Sequence, residues 1–164
     1  MADTKTEDRE ILFALEGERK PLSLVLPADA TFAHLIEKVR VEMGRVEIED
    51  VLFEDEDEVI ELHHVVFERI VVDEFKLVHL ATPGKIAVTV TFNGDAKEHD
   101  FRPSATMDKI VRWAMKTFHL EGDPSDFQLK LGEDLLPAGE HLGQVVDGKK
   151  KVRLALVMKI KPQG

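Results

Sequence analysis

The 164-residue sequence predicts an α+β fold, built twice in tandem. Three observations predict it. The second half reads in order as a hairpin, a helix, two strands, a single turn and a last strand. The first half repeats that order. Two pairs of landmarks, Gly17 with Gly94 and Phe75 with Val152, each stand 77 residues apart, which is the mark of a duplicated unit.

In the second half "KIAVTVTF" (85–92) alternates apolar and polar residues, as a half-buried strand does. Asn93-Gly94 follows, a strong hairpin signal because both residues tolerate positive φ. "AKEHDF" (96–101) is the return strand. After Pro103, Ser104 or Thr106 can start a helix that carries Met107, Ile110, Val111, Ala114, Met115 and Phe118 at helical spacing. Gly122-Asp123-Pro124 is expected to end it. "FQLKL" (127–131) and "DLLP" (134–137) read as strands, "HLGQV" (141–145) as a turn and "KVRLALV" (151–157) as the last strand.

In the first half "ILFAL" (11–15), the turn "GERK" (17–20) and "PLSLVL" (21–26) make the hairpin. Asp29 or Thr31 can cap a helix with Phe32, Leu35, Ile36, Val39 and Met43 on one face, closed by Gly44. "DVLF" (50–53) and "FKLVHL" (75–80) are the remaining strands. The first and last strands of each unit can pair in parallel at the centre of a mixed sheet with the helix across one face, which is a β-grasp arrangement. The expected division is a first domain at 9–80, a linker "ATPGK" at 81–85, a second domain at 86–158 and a tail at 159–164. So short a linker predicts limited freedom between the domains.

Composition narrows the function. A net charge of −10 argues against broad nucleic-acid binding. No apolar run approaches the roughly 20 residues that span a bilayer, and the polar, acidic start "MADTKTEDRE" has no secretory character. With no cysteine there is no disulfide, thiolate metal site or thiol nucleophile, and the expected location is cytoplasmic. Charge is uneven: residues 1–84 hold 9 basic against 21 acidic residues, residues 85–164 hold 13 against 11. The halves therefore meet different partners, and the acidic first domain would steer one of them. No G-x-S-x-G serine or Gly-rich phosphate loop is present, and "PSDF" (124–127) has no catalytic partner, so no enzyme and no cofactor are expected.

Three other groups invite a functional reading and also have a plainer one. His63-His64, beside the acidic run Glu54–Glu58 and Glu61, suggests a metal site. Adjacent histidines point to different sides of a regular element, so a solvated loop is expected and no metal; the acidic run is alternatively a contact for a basic partner. Lys149-Lys150-Lys151 reads as a solvated turn or a contact for an acidic partner enzyme. Trp113 is expected in core or interdomain packing.

The sequence resembles ubiquitin, most clearly in "PSATMDKIVRWAM", "FQLKLGEDLL" and "GKKKVRLALVMKI". Two fused copies without cysteine look like the two-domain interferon-induced modifiers and, among bacterial proteins, the multi-ubiquitin and Bil operon modifiers. That resemblance implies an ATP-dependent activating enzyme, a conjugating enzyme, a deconjugating protease, target lysines and a role in defence against phage. It also implies that Gly164 is the reactive end, recognised with Lys159, Lys161, Pro162 and Gln163. Here Pro162-Gln163 precede a single terminal glycine, where ubiquitin has two. The centre of ubiquitin's apolar receptor face falls at Lys130, and "EDEDE" (54–58) stands where the other copy has a glycine-bearing turn. The competing readings are an unconjugated β-grasp adaptor and a sulfur carrier.

Overall fold

The computed structural model describes residues 7–70, 77–146 and 148–159. The first unit contains β1 (Asp8–Leu15), β2 (Leu22–Pro27), α1 (Phe32–Glu42), β3 (Asp50–Phe53), α2 (Val66–Arg69) and β4 (Val78–Ala81). The second contains β5 (Ile86–Phe92), β6 (Asp95–Phe101), α3 (Met107–Thr117), a 3-10 turn at Pro124–Asp126, β7 (Phe127–Leu131), β8 (Asp134–Leu136), α4 (Leu142–Val146) and β9 (Lys151–Met158).

Two sheets result, ordered β2-β1-β4-β3 and β6-β5-β9-β7-β8. In each, the first and last strands of the unit pair in parallel, Phe13 with Val78 and Val90 with Leu154. The neighbouring pairings are antiparallel. Both units are therefore β-grasp folds. Phe13 and Val90 lie 77 residues apart, while Val78 and Leu154 lie 76 apart. Phe75, the predicted landmark, lies outside the described residues.

Each helix starts on a threonine. Thr31 Oγ1 accepts the His34 N–H at 3.3 Å, and Thr106 Oγ1 accepts that of Lys109 at 3.2 Å. These bonds satisfy N–H groups that the first helical turn leaves without partners. Phe32, Leu35, Ile36 and Val39 of α1 are buried, as are Met107, Ile110, Val111, Ala114 and Met115 of α3, matching the apolar stripes of the sequence. Each stripe packs on its own sheet, so the described residues form two separate cores. Full burial of one such side chain contributes about 1.5–3 kcal/mol.

Several details depart from the sequence reading. Helix α3 stops at Thr117, before Gly122, because His119 turns the chain into the left-handed region at φ 56°. The Leu120 N–H then bonds back to the Met115 carbonyl at 2.8 Å, closing the helix end. The first unit has a short helix, α2, just after the His63-His64 loop, in a stretch to which the sequence reading assigned no named element. Its counterpart to β8 is a single bridge between Leu52 and Val59. Trp113 is half-buried on its own unit's core, edge-on to Phe101 and stacked on His99.

Candidate functional site

Two places carry the functional argument: the root of the tail and the joint between the units. At the root, β9 runs between β5 and β7, so the tail leaves the middle of the sheet. Past the end of β9, the Lys159 N–H donates to the Asp126 carbonyl at 2.8 Å. The exposed Lys159 side chain lies beside a cavity of 170 Å³ lined partly by Met107, Val111, Phe127 and Leu136. Lys161, Pro162, Gln163 and Gly164 lie outside the described residues. Lys130 is half-buried on β7, between Ala155 of β9 and Leu135 of β8. Leu52 takes the corresponding place in the first unit, facing His79 as Lys130 faces Ala155. Leu52 is apolar but 1% exposed, so this part of the first unit's sheet is covered.

The cover is the second unit. Asp55 stands in the turn after β3 at φ 60°, and Gly132 holds the same φ in the turn after β7. Its carboxylate accepts the Thr106 N–H at 2.7 Å and the Thr106 hydroxyl at 3.1 Å. It thus caps the first turn of a helix in the other unit, where negative charge is favoured. The Asp55 N–H donates to the Ser104 carbonyl, and the Ser104 hydroxyl to the Glu56 carbonyl. Lys109 Nζ donates to the Asp55 carbonyl and Arg102 to that of Asp57. Residues 55–58 are exposed, as a solvated loop is, but the Glu54 and Asp55 carboxylates and the Glu56 and Asp57 carbonyls find partners in the second unit. The short linker alone leaves some freedom between units; this joint restricts it.

Further contacts flank it. The Gly17 N–H donates to the Gly143 carbonyl at 2.9 Å, and Gln144 Nε2 to the Glu18 carbonyl at 3.0 Å. Arg19 pairs with Glu140 through two nitrogens and lies 3.6 Å from Asp134. The buried Glu16 accepts the Thr82 hydroxyl at 2.9 Å, and Lys150 Nζ donates to the same hydroxyl at 2.8 Å. One lysine of the predicted 149–151 patch is thereby engaged within the chain, while Lys149 and Lys151 are exposed.

At the centre lie two histidines with no exposed surface, His79 and His141. Their Nδ1 atoms are 3.0 Å apart, and His141 Nε2 is 2.8 Å from Glu54 Oε1. Burial, and then the neighbouring His141, push His79 well below the usual imidazole range. His79 Nε2 has no hydrogen-bond partner.

The other histidine pair behaves differently from its prediction. The His63 and His64 rings stack at 4.5 Å instead of diverging, because they sit on a loop and not on a regular element. Their Nε2 atoms lie 3.5 and 3.6 Å from the same Glu61 oxygen. This is the group of metal-type donors brought together among the described residues. His63 and Glu61 are largely exposed, and protonated imidazoles would pair with the carboxylate there.

Sequence reasoning missed Asp55, Thr106, Glu54, His79 and His141 as joint residues. One signal was present: the acidic run 54–58, with Asp55 where the other copy turns on Gly132.

Comparison with known proteins bears on the second unit. Residues 87–159 match the family model described as BilA ubiquitin-like domain 2. Among solved structures the chain is similar to a ubiquitin of Caldiarchaeum subterraneum, with 16% identity, a TM-score of 0.40, and coverage of 49% of this chain and 100% of that one. No curated protein matches the chain. The match over 87–159 makes the second unit similar to a ubiquitin-like domain.

Proposed function

We propose that the chain is a protein modifier joined to other proteins through the carboxyl group of Gly164. The observation that carries the reading is the ubiquitin-like match over residues 87–159, which stops where β9 ends and five residues short of Gly164. No helix among the described residues is long and apolar enough to cross a membrane.

A carboxylate is a poor acyl donor. In the proposed sequence the Gly164 carboxylate attacks the α-phosphate of ATP on an activating enzyme, forming an acyl adenylate and releasing pyrophosphate. A cysteine thiolate of that enzyme displaces AMP to give a thioester. The thioester passes to a conjugating enzyme, and a lysine amine of the target expels the thiolate to form an isopeptide bond. A deconjugating protease adds water across that bond to reverse it. The chain itself supplies no catalytic group and no cofactor. It contributes the tail at 159–164 and a last residue without Cβ, which lets nucleophile and enzyme backbone approach closely. Lys159 and Lys161 meet acidic groups on the activating enzyme, and Pro162 and Gln163 occupy its channel. The BilA-type likeness extends the proposal to bacterial defence against phage, in the cytoplasm where ATP is available.

The test combines the chain with ATP, a cognate activating enzyme and a thiol trap. A thioester dependent on Gly164 supports the reading. Absence of both adenylate and thioester would favour the adaptor, and a terminal thiocarboxylate without any lysine adduct the sulfur carrier.

A further inference from the structure

The joint has a feature that docking alone does not require. Glu54, ionised, can only accept a hydrogen bond, so His141 Nε2 must carry a proton. In neutral His141 the Nδ1 is then the acceptor, and His79 Nδ1 must donate to it across 3.0 Å. That leaves His79 Nε2 bare, buried and without a donor.

One added proton changes the balance. Two Nδ1 atoms this close cannot both carry hydrogen along one contact. Three protons on four ring nitrogens therefore leave one Nδ1 bare, and both Nε2 atoms protonated. Whichever ring holds the charge, His79 Nε2 becomes an N–H donor. It faces Gly143 and Pro103: a Cβ built on Gly143 would lie 2.2 Å from this nitrogen and 2.9 Å from Pro103 Cβ. No acceptor and no room are available there, and a buried donor without a partner is costly.

We propose that the Glu54–His141–His79 chain is an acid-sensitive latch, which holds the two units docked when the pair is neutral and releases them when it binds one proton. The charged groups of the joint lie on the surrounding elements: Glu16 after β1, Glu54 and Asp55 after β3, Glu140 before α4, Arg19 in the first hairpin turn and Lys150 before β9; of these Glu54 meets the pair directly. Glu54 is bonded to His141, Asp55 to Thr106, Glu140 to Arg19 and Glu16 to Thr82. None of them bonds His79 Nε2. The sign follows from the lowered basicity of His79. Docked, the pair binds fewer protons than the separated histidines. Its contribution is fully present above the ordinary histidine value of about 6.5 and falls below it, by about tenfold in the docked-to-open ratio per pH unit. Opening would uncover Leu52, Ala14 and Ala81 on the first unit's sheet, all buried in the docked state.

The chain has no cysteine, so Glu42→Cys and Lys97→Cys, both at exposed positions, place one dye in each unit. Single-molecule energy transfer is measured from pH 8 to pH 5, with circular dichroism at each pH. A single docked population at pH 8 should give way to a broader open one below about pH 6.5, with helix and sheet content unchanged. In His79→Gln a glutamine amide can still donate to His141 but cannot take up a proton, so the pH dependence should vanish. His79→Asn serves as the second variant, and a variant that is open at every pH also supports the latch, since the dependence is gone. The proposal is overturned by a wild-type docked population that persists to pH 5, by opening in both variants with the wild-type pH profile, or by loss of secondary structure over the same range.

Discussion

Asp55→Asn is the perturbation that probes the joint most sharply, because it changes a residue of one unit and is read in the other. Asparagine keeps the shape of the turn and tolerates the φ of 60° that the position demands. It removes the charge from a carboxylate that accepts two Thr106 hydrogen bonds, at 2.7 and 3.1 Å. Hydrogen bonds to charged groups contribute about 1.5–3 kcal/mol, against about 0.5–1.5 kcal/mol for neutral ones. The exchange weakens the helix-terminus interaction by a further ~0.3–1 kcal/mol. The expected loss is about 1–3 kcal/mol, since one neutral acceptor remains. The assay is urea unfolding followed by Trp113, the single tryptophan, which sits on α3 of the second unit. Hydrogen exchange at the Thr106 amide gives a local reading. A lower midpoint for the Trp113 transition and faster exchange at Thr106 are expected. An unchanged midpoint with full protection at Thr106 would refute the reasoning, since Asp55 would then not be capping the other unit's helix in solution.

Three further outcomes are expected. Gly143→Ala should push the units apart at a cost of about 1–3 kcal/mol in docking, because its Cβ would meet His79 at 2.2 Å and Pro103 at 2.9 Å; small-angle scattering should show a larger radius of gyration with both cores intact. Leu52→Lys gives the first unit the residue that the second unit carries at the equivalent place, and burying that unpaired charge should open the joint; proteolysis at 81–85 should become faster. In the tail, Gly164→Ala should lower thioester yield and deletion of Gly164 abolish it, with the urea midpoint unchanged in both.

Much of the fold was legible because it rests on local rules. Alternation marks strands such as 86–92, two threonines cap two helices, and Asn93-Gly94 turns the hairpin at φ 48° and 85°. The joint was not legible for a physical reason. His79 alternates to the outer face of its strand, where a single β-grasp unit would leave it in solvent, and only a second unit laid across the sheet buries it. Contacts such as Arg19 with Glu140 join residues 121 positions apart and leave no periodic trace. The acidic excess at 54–58 was read as solvation, yet its aspartate holds the backbone conformation that Gly132 holds in the other copy. In the tail, the resemblance points to Gly164, and four of the five named residues lie outside the described part of the chain.

The attachment itself can be read directly. Trypsin cuts after Lys159 but is blocked at Lys161 by the following proline, so digestion of conjugates from the native cell should leave residues 160–164 on the acceptor lysine. Tandem mass spectrometry that finds Ile-Lys-Pro-Gln-Gly in isopeptide linkage to a target lysine is the predicted result. Recovery of the chain solely in free form, with its activating enzyme and ATP present and no such branch on any protein, would contradict the account.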